Sequence, residues 1–151
     1  MLDLMAVTAI SPGLILRGVP RLVALRGQVE VLSARVGWSG ENTIGGWHSY
    51  RASKAALNQI VHGAAIELAR THKGSVCVAL HPGTVATSFT ANHAGRYKMV
   101  TPEVAAVNLW RVIDGLAPSQ TGGFYDYAGE VTPWEGLYWC WVMRCPTGRT
   151  A

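Results

Sequence analysis

The stretch S-V-C-V-A-L-H-P-G, Ser75 to Gly83, is a continuous apolar run closed by proline and glycine. Such a run reads as a strand buried on both faces, and strands of that kind belong to parallel sheets covered by helices on both sides. The flanking segments have the matching periods. From Ser49 to Thr71 the apolar positions Leu57, Ile60, Val61, Ala64, Ala65 and Leu68 recur at helical steps, and His72-Lys73-Gly74 follows as a stop. Q-V-E-V-L-S-A, Gln28 to Ala34, alternates and is rich in valine, which predicts a short strand. Residues 4 to 25 predict a helix with a kink near Pro20, ended by Arg26-Gly27. Thr101-Pro102-Glu103 opens a further helix running to Gly115, and G-G-F-Y-D-Y-A-G, Gly122 to Gly129, gives a last strand and turn. Helix, strand, long helix, strand, helix, strand is the alternation of an α/β layered fold with parallel strands.

Composition narrows the classes. With 151 residues, 49% hydrophobic and 15% charged, the chain has the makeup of one globular domain. The net charge of +4 is scattered from Arg17 to Arg149 rather than gathered into a stripe, so no nucleic-acid partner is expected. Cys77, Cys140 and Cys145 suggest no disulfide framework, which fits a reducing cytoplasm. The apolar N-terminus has no basic leader and is interrupted by Asp3, Pro12 and Arg17. It reads as a buried helix, and the apolar Leu137–Met143 segment is too short to cross a bilayer, so no membrane role is expected. The histidines show no paired ligand spacing, and no metal site is expected.

The loop over residues 35 to 48 holds Gly37, Gly40, Gly45 and Gly46, and chemistry often sits on such a segment. It leads into W-H-S-Y-R-A-S-K-A-A-L-N, where Tyr50 and Lys54 stand four apart and so on one helix face. A lysine cation about 4 Å from a phenol, at an effective dielectric near ~20, favours the phenolate by about 4 kcal/mol before desolvation. A tyrosine so placed can exchange a proton with a substrate. The plainer alternative is a half-buried tyrosine beside a solvated lysine. His48 is either a pocket residue or a loop histidine, and Trp47, Phe124, Tyr125 and Trp134 either wall a pocket or pack the core.

Four segments in order, S-A-R-V-G, then G-G-W-H-S-Y-R-A-S-K-A-A-L-N-Q, then H-P-G-T-V-A-T, then G-G-F-Y-D-Y-A-G-E-V-T-P-W, resemble the C-terminal half of the short-chain dehydrogenase/reductase family, closest to its C-factor-like and sniffer-type carbonyl reductases. The resemblance implies the last three strands of a Rossmann-like doubly wound sheet over residues 1 to 134, with residues 135 to 151 an unmatched aromatic tail. It implies hydride transfer between NADP or NAD, with NADP preferred, and a small carbonyl or alcohol substrate. Tyr50 corresponds to the acid/base and Lys54 to the lysine that lowers its pKa and holds the nicotinamide ribose. Pro82, Gly83, Thr84, Val85 and Thr87 correspond to the loop facing the nicotinamide.

Departures accompany the match. Aligning through Gly37 puts Ala34 where many members carry a catalytic serine; Ser33 is the expected substitute, Ser39 another candidate, and Ser33 satisfied by backbone the structural alternative. V-T-A-I-S-P has Thr8 where the family has a relay asparagine. No strand, glycine-rich turn and helix for a pyrophosphate appears, so the chain is expected to begin after the family's first four strands, leaving a strand edge open. The family resemblance also implies a homodimer or homotetramer through helices 4 to 25 and 49 to 71. A non-catalytic oligomerising module and an inactive gene fragment are the alternatives to an enzyme.

Overall fold

The computed structural model describes residues 1–91 and 98–134. Three parallel strands, β1 (Gln28–Leu32), β2 (Val76–His81) and β3 (Phe124–Asp126), form a sheet in the order β1-β2-β3. Gln28 stands opposite Val76 and Leu32 opposite Leu80, while Ala79 stands opposite Phe124. This is the α/β arrangement the alternation predicts. Among the described residues β1 pairs on one side only, the open edge expected from the sequence.

Both faces of β2 are buried, which accounts for its unbroken apolar run. On one face Cys77 and Ala79 pack with Phe124 against Leu57, Val61, Ala65 and Leu68 of helix α3 (His48–Thr71). On the other, Val76, Val78, Leu80 and Tyr125 meet Leu109, Val112, Ile113 and Leu116, the first three from helix α4 (Pro102–Asp114). The Thr101 hydroxyl accepts from the Val104 amide, capping α4 as the Thr-Pro-Glu signal predicts. Cys77 is free and buried, and burial followed by the nearby Glu30 charge pushes its thiol up to about 11, so it behaves as a core residue. Phe124 and Trp134 stack at 5.5 Å, and the Trp134 indole donates to Gly122 O at 2.8 Å, so these rings belong to the core. The Asp126 carboxylate accepts from the amides of Ala128 and Glu130, which satisfies a buried charge and folds the turn after β3.

The N-terminal helix differs from its expected form. It runs as α1 (Leu2–Met5), a π-turn over Ala6–Ile10 and α2 (Ser11–Gly18), ending in a 3-10 turn at Val19–Arg21. The irregularity therefore sits around Thr8, not at Pro20, whose fixed φ suits the closing 3-10 turn. Nor is the helix buried. Only one side reaches α3, where Gly13 lets Ile60 approach to 3.4 Å of a would-be Cβ, and Ala9 and Leu16 are enclosed. Leu2, Val7, Ile10, Leu14 and Ile15 are exposed. The continuous segment Leu2–Arg21 is long and apolar enough to cross a membrane by length and composition, which the expected interruptions do not prevent.

Candidate active site

The site is built where the strands end, the edge at which parallel sheets place ligands. After β1 the chain turns through Ser33, Ala34 and a 3-10 turn at Arg35–Gly37. This turn lies directly on α3: a Cβ at Gly37 would fall 2.6 Å from the Lys54 carbonyl carbon and 2.8 Å from the Ala55 nitrogen. Gly37→Ala is therefore expected to push the turn off the helix and lower stability by about 2 kcal/mol, read by urea unfolding.

The helix itself begins abruptly. Gly45, Gly46 and Trp47 all have left-handed backbone, with φ of 70°, 69° and 49°. Glycine adopts this freely, whereas tryptophan there stores strain of a kind found at functional sites. Arg51 clamps the turn: its guanidinium donates to the carbonyls of Val36, Gly45 and Gly46 and lies 5.9 Å over the Trp47 ring. The spacing Trp47-x-x-x-Arg51 is the signal that could have marked the clamp.

A cleft of about 440 Å³ results, walled by Ala34, Val36, Ile44, Trp47, Tyr50 and Phe89 and edged by Arg35, Glu41, Arg51, His81, Gly83, Thr84 and Thr90. Tyr50 meets the Phe89 ring at 5.8 Å. The Lys54 ammonium is 5.9 Å from the Tyr50 ring centroid and donates to Leu32 O at 3.0 Å. The two side chains are thus close, Tyr50 on the cleft wall and Lys54 behind it outside the lining. Their electrostatics run against the sequence expectation: burial raises the Tyr50 pKa above its ordinary value and lowers that of Lys54. The ammonium is turned toward the strand-end carbonyl, and loss of water around each group is the cause of both shifts.

The other expected site residues separate into two groups. Gly83, with φ of 77°, and Thr84 line the cleft, and Pro82 joins them to β2. Val85 instead bridges to Val100, and Thr87 is exposed and shares a hydrogen bond with Thr90. Ser33 does not line the cleft: it is buried and its hydroxyl donates to Asn58 of α3, because a strand-end side chain at that position points beneath the helix. The alternative of backbone satisfaction also gives way, since its partner is a side chain. Ala34 takes the cleft wall. Ser39 and His48 are exposed and outside the lining, and the Thr8 hydroxyl donates to Leu4 O within its own helix. Among the described residues no cluster of metal ligands occurs; His93, Cys140, Cys145, part of the variable loop and the aromatic tail lie outside them.

His81, the last residue of β2, is a cleft residue that sequence reasoning missed. Burial, then the positive charge of Arg35, lower its pKa to about 4, against a smaller upward pull from Asp126. The folded ring therefore binds protons less readily than the unfolded one. Its contribution is intact above the unfolded value of 6.5 and is lost as pH falls through about 4, for a total near 3 kcal/mol. Urea midpoints measured from pH 7 to pH 4 are expected to fall over this window and to flatten in His81→Asn.

No family model matches the chain. It is 39% identical over 127 residues to the C-signal protein of Myxococcus xanthus, covering 84% of this chain and 69% of that one. The carbonyl reductase Sniffer of D. melanogaster superposes with a TM-score of 0.79 at 26% identity, covering 89% of this chain and 57% of that one. An NADPH-bound carbonyl reductase from chicken fatty liver gives 0.69 at 27% identity, with 89% and 58% covered. The chain spans 38% to 69% of the length of the curated relatives it matches. The strand order and this likeness agree: the chain belongs to the short-chain dehydrogenase/reductase family.

Proposed function

We propose that this chain carries the proton-transfer end of a nicotinamide-dependent carbonyl reductase site, with Tyr50 as the acid. The observation that carries the reading is Tyr50 lining an apolar cleft at the strand ends with the Lys54 ammonium 5.9 Å from its ring. Burial keeps the phenol protonated through the physiological range, which is the form a proton donor needs. The chemistry would be reduction of a ketone or aldehyde: with a reduced dinucleotide supplying hydride to the carbonyl carbon, Tyr50 would give its proton to the oxygen and recover one from solvent.

The residues present fit the nicotinamide end of that cofactor. Lys54 uses one of its three N–H donors on Leu32 O, leaving the others for ribose hydroxyls. Gly83 makes a left-handed turn at the cleft, with Thr84 beside it to offer backbone and hydroxyl groups. When bound, the cofactor would supply hydride; the chain positions the carbonyl along the wall of Ile44, Trp47 and Phe89 and delivers the proton. NADP is favoured over NAD by the NADPH-bound carbonyl reductase among the similar structures. Among the described residues no glycine-rich strand-turn-helix is available for a pyrophosphate. Isothermal titration with NADPH and NADH, followed by ketone-dependent oxidation of the tighter of the two, tests the reading; absence of saturable binding to either overturns it.

Self-association is the second reading, carried by the exposed apolar side of the N-terminal helix beside α3. A second copy of the chain covers this face in a homodimer or homotetramer. Sedimentation without detergent is expected to give the oligomer for the native chain and the monomer for Leu14→Glu with Ile15→Glu, whose side chains are 65% and 67% exposed. Native chain that stays monomeric, or enters only lipid vesicles, overturns it. The free core thiol fits the reducing cytoplasm proposed as its location.

A further inference from the structure

A second cavity, of about 530 Å³, lies apart from the cleft, between α4 and the end of β3. Its helical wall is Asn108, Arg111, Val112 and Gly115, whose steps of three, four and seven put them on one face of α4. Tyr125 of β3, Tyr127 of the turn after it, and Gln120 complete most of the rest. The fold leaves the polar groups here unused. The Arg111 guanidinium, the Asn108 carboxamide and the Tyr127 hydroxyl have no partner among the described residues, and Gln120 accepts from the Ala117 amide while its N–H donors stay unspent. No carboxylate lines the cavity, and that of Asp126 is taken up by the Ala128 and Glu130 amides. The unused groups are thus mostly N–H and O–H donors, one of them a cation. Donors of this kind beside phenol rings fit a flat ligand that carries one two-oxygen anionic group.

We propose that this cavity is a binding site for a small aromatic carboxylate, with the carboxylate held by Arg111 and Asn108 and the ring laid on Tyr127. Arg111 and Asn108 stand one helical turn apart, and paired guanidinium N–H groups match the two carboxylate oxygens. Arg111 lies in the last turn of α4, where the helix carbonyls favour a cation; Asn108, a turn earlier, sets the anion back from that negative end. The site also borders the cleft. A Cβ on Gly83 would fall 2.9 Å from Tyr127 Cδ1, so the Tyr127 ring rests on Gly83, which lines the cleft with left-handed backbone. A ligand laid on Tyr127 is therefore one residue from the cleft without entering it. The site stands independently of the carbonyl reductase reading, since it uses neither Tyr50 nor Lys54.

The test titrates the full chain, labelled with 15N, with benzoate and separately with benzamide and acetate. Benzoate is expected to shift the amides of Tyr127, Ala128 and Gly129 saturably, with a Kd on the order of 1 mM. It should also move Gly83, through the Tyr127 ring, and leave Ile44 and Trp47 on the cleft wall unmoved. Benzamide lacks the charge and acetate the ring, so each should bind about five- to tenfold more weakly. Arg111→Gln, at an exposed position, should weaken benzoate by a similar factor and leave benzamide unchanged, while Tyr127→Leu should weaken both. Shifts at Ile44 and Trp47 in place of those at Tyr127 overturn the site and move the ligand to the cleft. Benzamide or acetate binding as tightly as benzoate overturns the ligand class, and unaltered benzoate affinity in Arg111→Gln overturns the anchor. Native chain that shows no saturation by about 10 mM benzoate overturns the proposal whether or not the variants fold.

Discussion

Tyr50→Phe is expected to lower ketone reduction by about 10²- to 10⁴-fold while dinucleotide affinity stays nearly unchanged. The variant deletes only the phenolic oxygen. The ring keeps its contact with Phe89 at 5.8 Å, and the Lys54 ammonium keeps its bond to Leu32 O, so the cleft and the ribose-facing donors remain. The loss should therefore fall on kcat rather than on KM, and deuterium from solvent should no longer slow the residual reaction. Retained turnover would move the acid elsewhere in the cleft, and a large rise in the dinucleotide Kd would recast Tyr50 as a binding group.

The largest stability effect is expected at Phe124. Its side chain is 1% exposed, packs against Leu57, Val61, Ala65 and Leu68, and stacks on Trp134 at 5.5 Å. Phe124→Ala removes the ring from the centre of the sheet-helix interface, where Cys77 and Ala79 are too small to fill the space. A loss of about 3–5 kcal/mol follows for such a cavity, enough to unfold a marginally stable domain at ordinary temperature. Urea denaturation followed by circular dichroism reads it directly. A loss under about 1 kcal/mol would mean that the interface collapses around the gap.

Much of the fold was readable because burial writes itself into sequence period. β2 was visible as an apolar run since helices cover both its faces, and α3 as a stripe since only one of its sides meets the sheet. The N-terminal helix misled for the same reason: its apolar residues lie on both sides, so periodicity could not say that Leu14 and Ile15 face outward while Leu16 faces in. At the site, Tyr50 and Lys54 followed from helical spacing, which is local. Ser33 did not follow, because the choice between cleft and interior depends on Asn58, twenty-five positions away. His81 was overlooked because a histidine closing an apolar strand has no motif; only the enclosure around its Nδ1 makes it conspicuous. The direction of the Tyr50 shift failed because spacing fixes proximity but says nothing of how far water is removed.

The sheet order also sets how the molecule can assemble itself. Gln28 lies opposite Val76, and Ala79 opposite Phe124, so neither strand pairing can close as a hairpin; each waits for a helix to double back. No strand pair can form within a short stretch of chain, so loop-closure entropy must be overcome before any strand contact forms. Refolding from denaturant should accordingly be slower than in helical bundles of this size, with β1 exposed to foreign strands for as long as the search lasts.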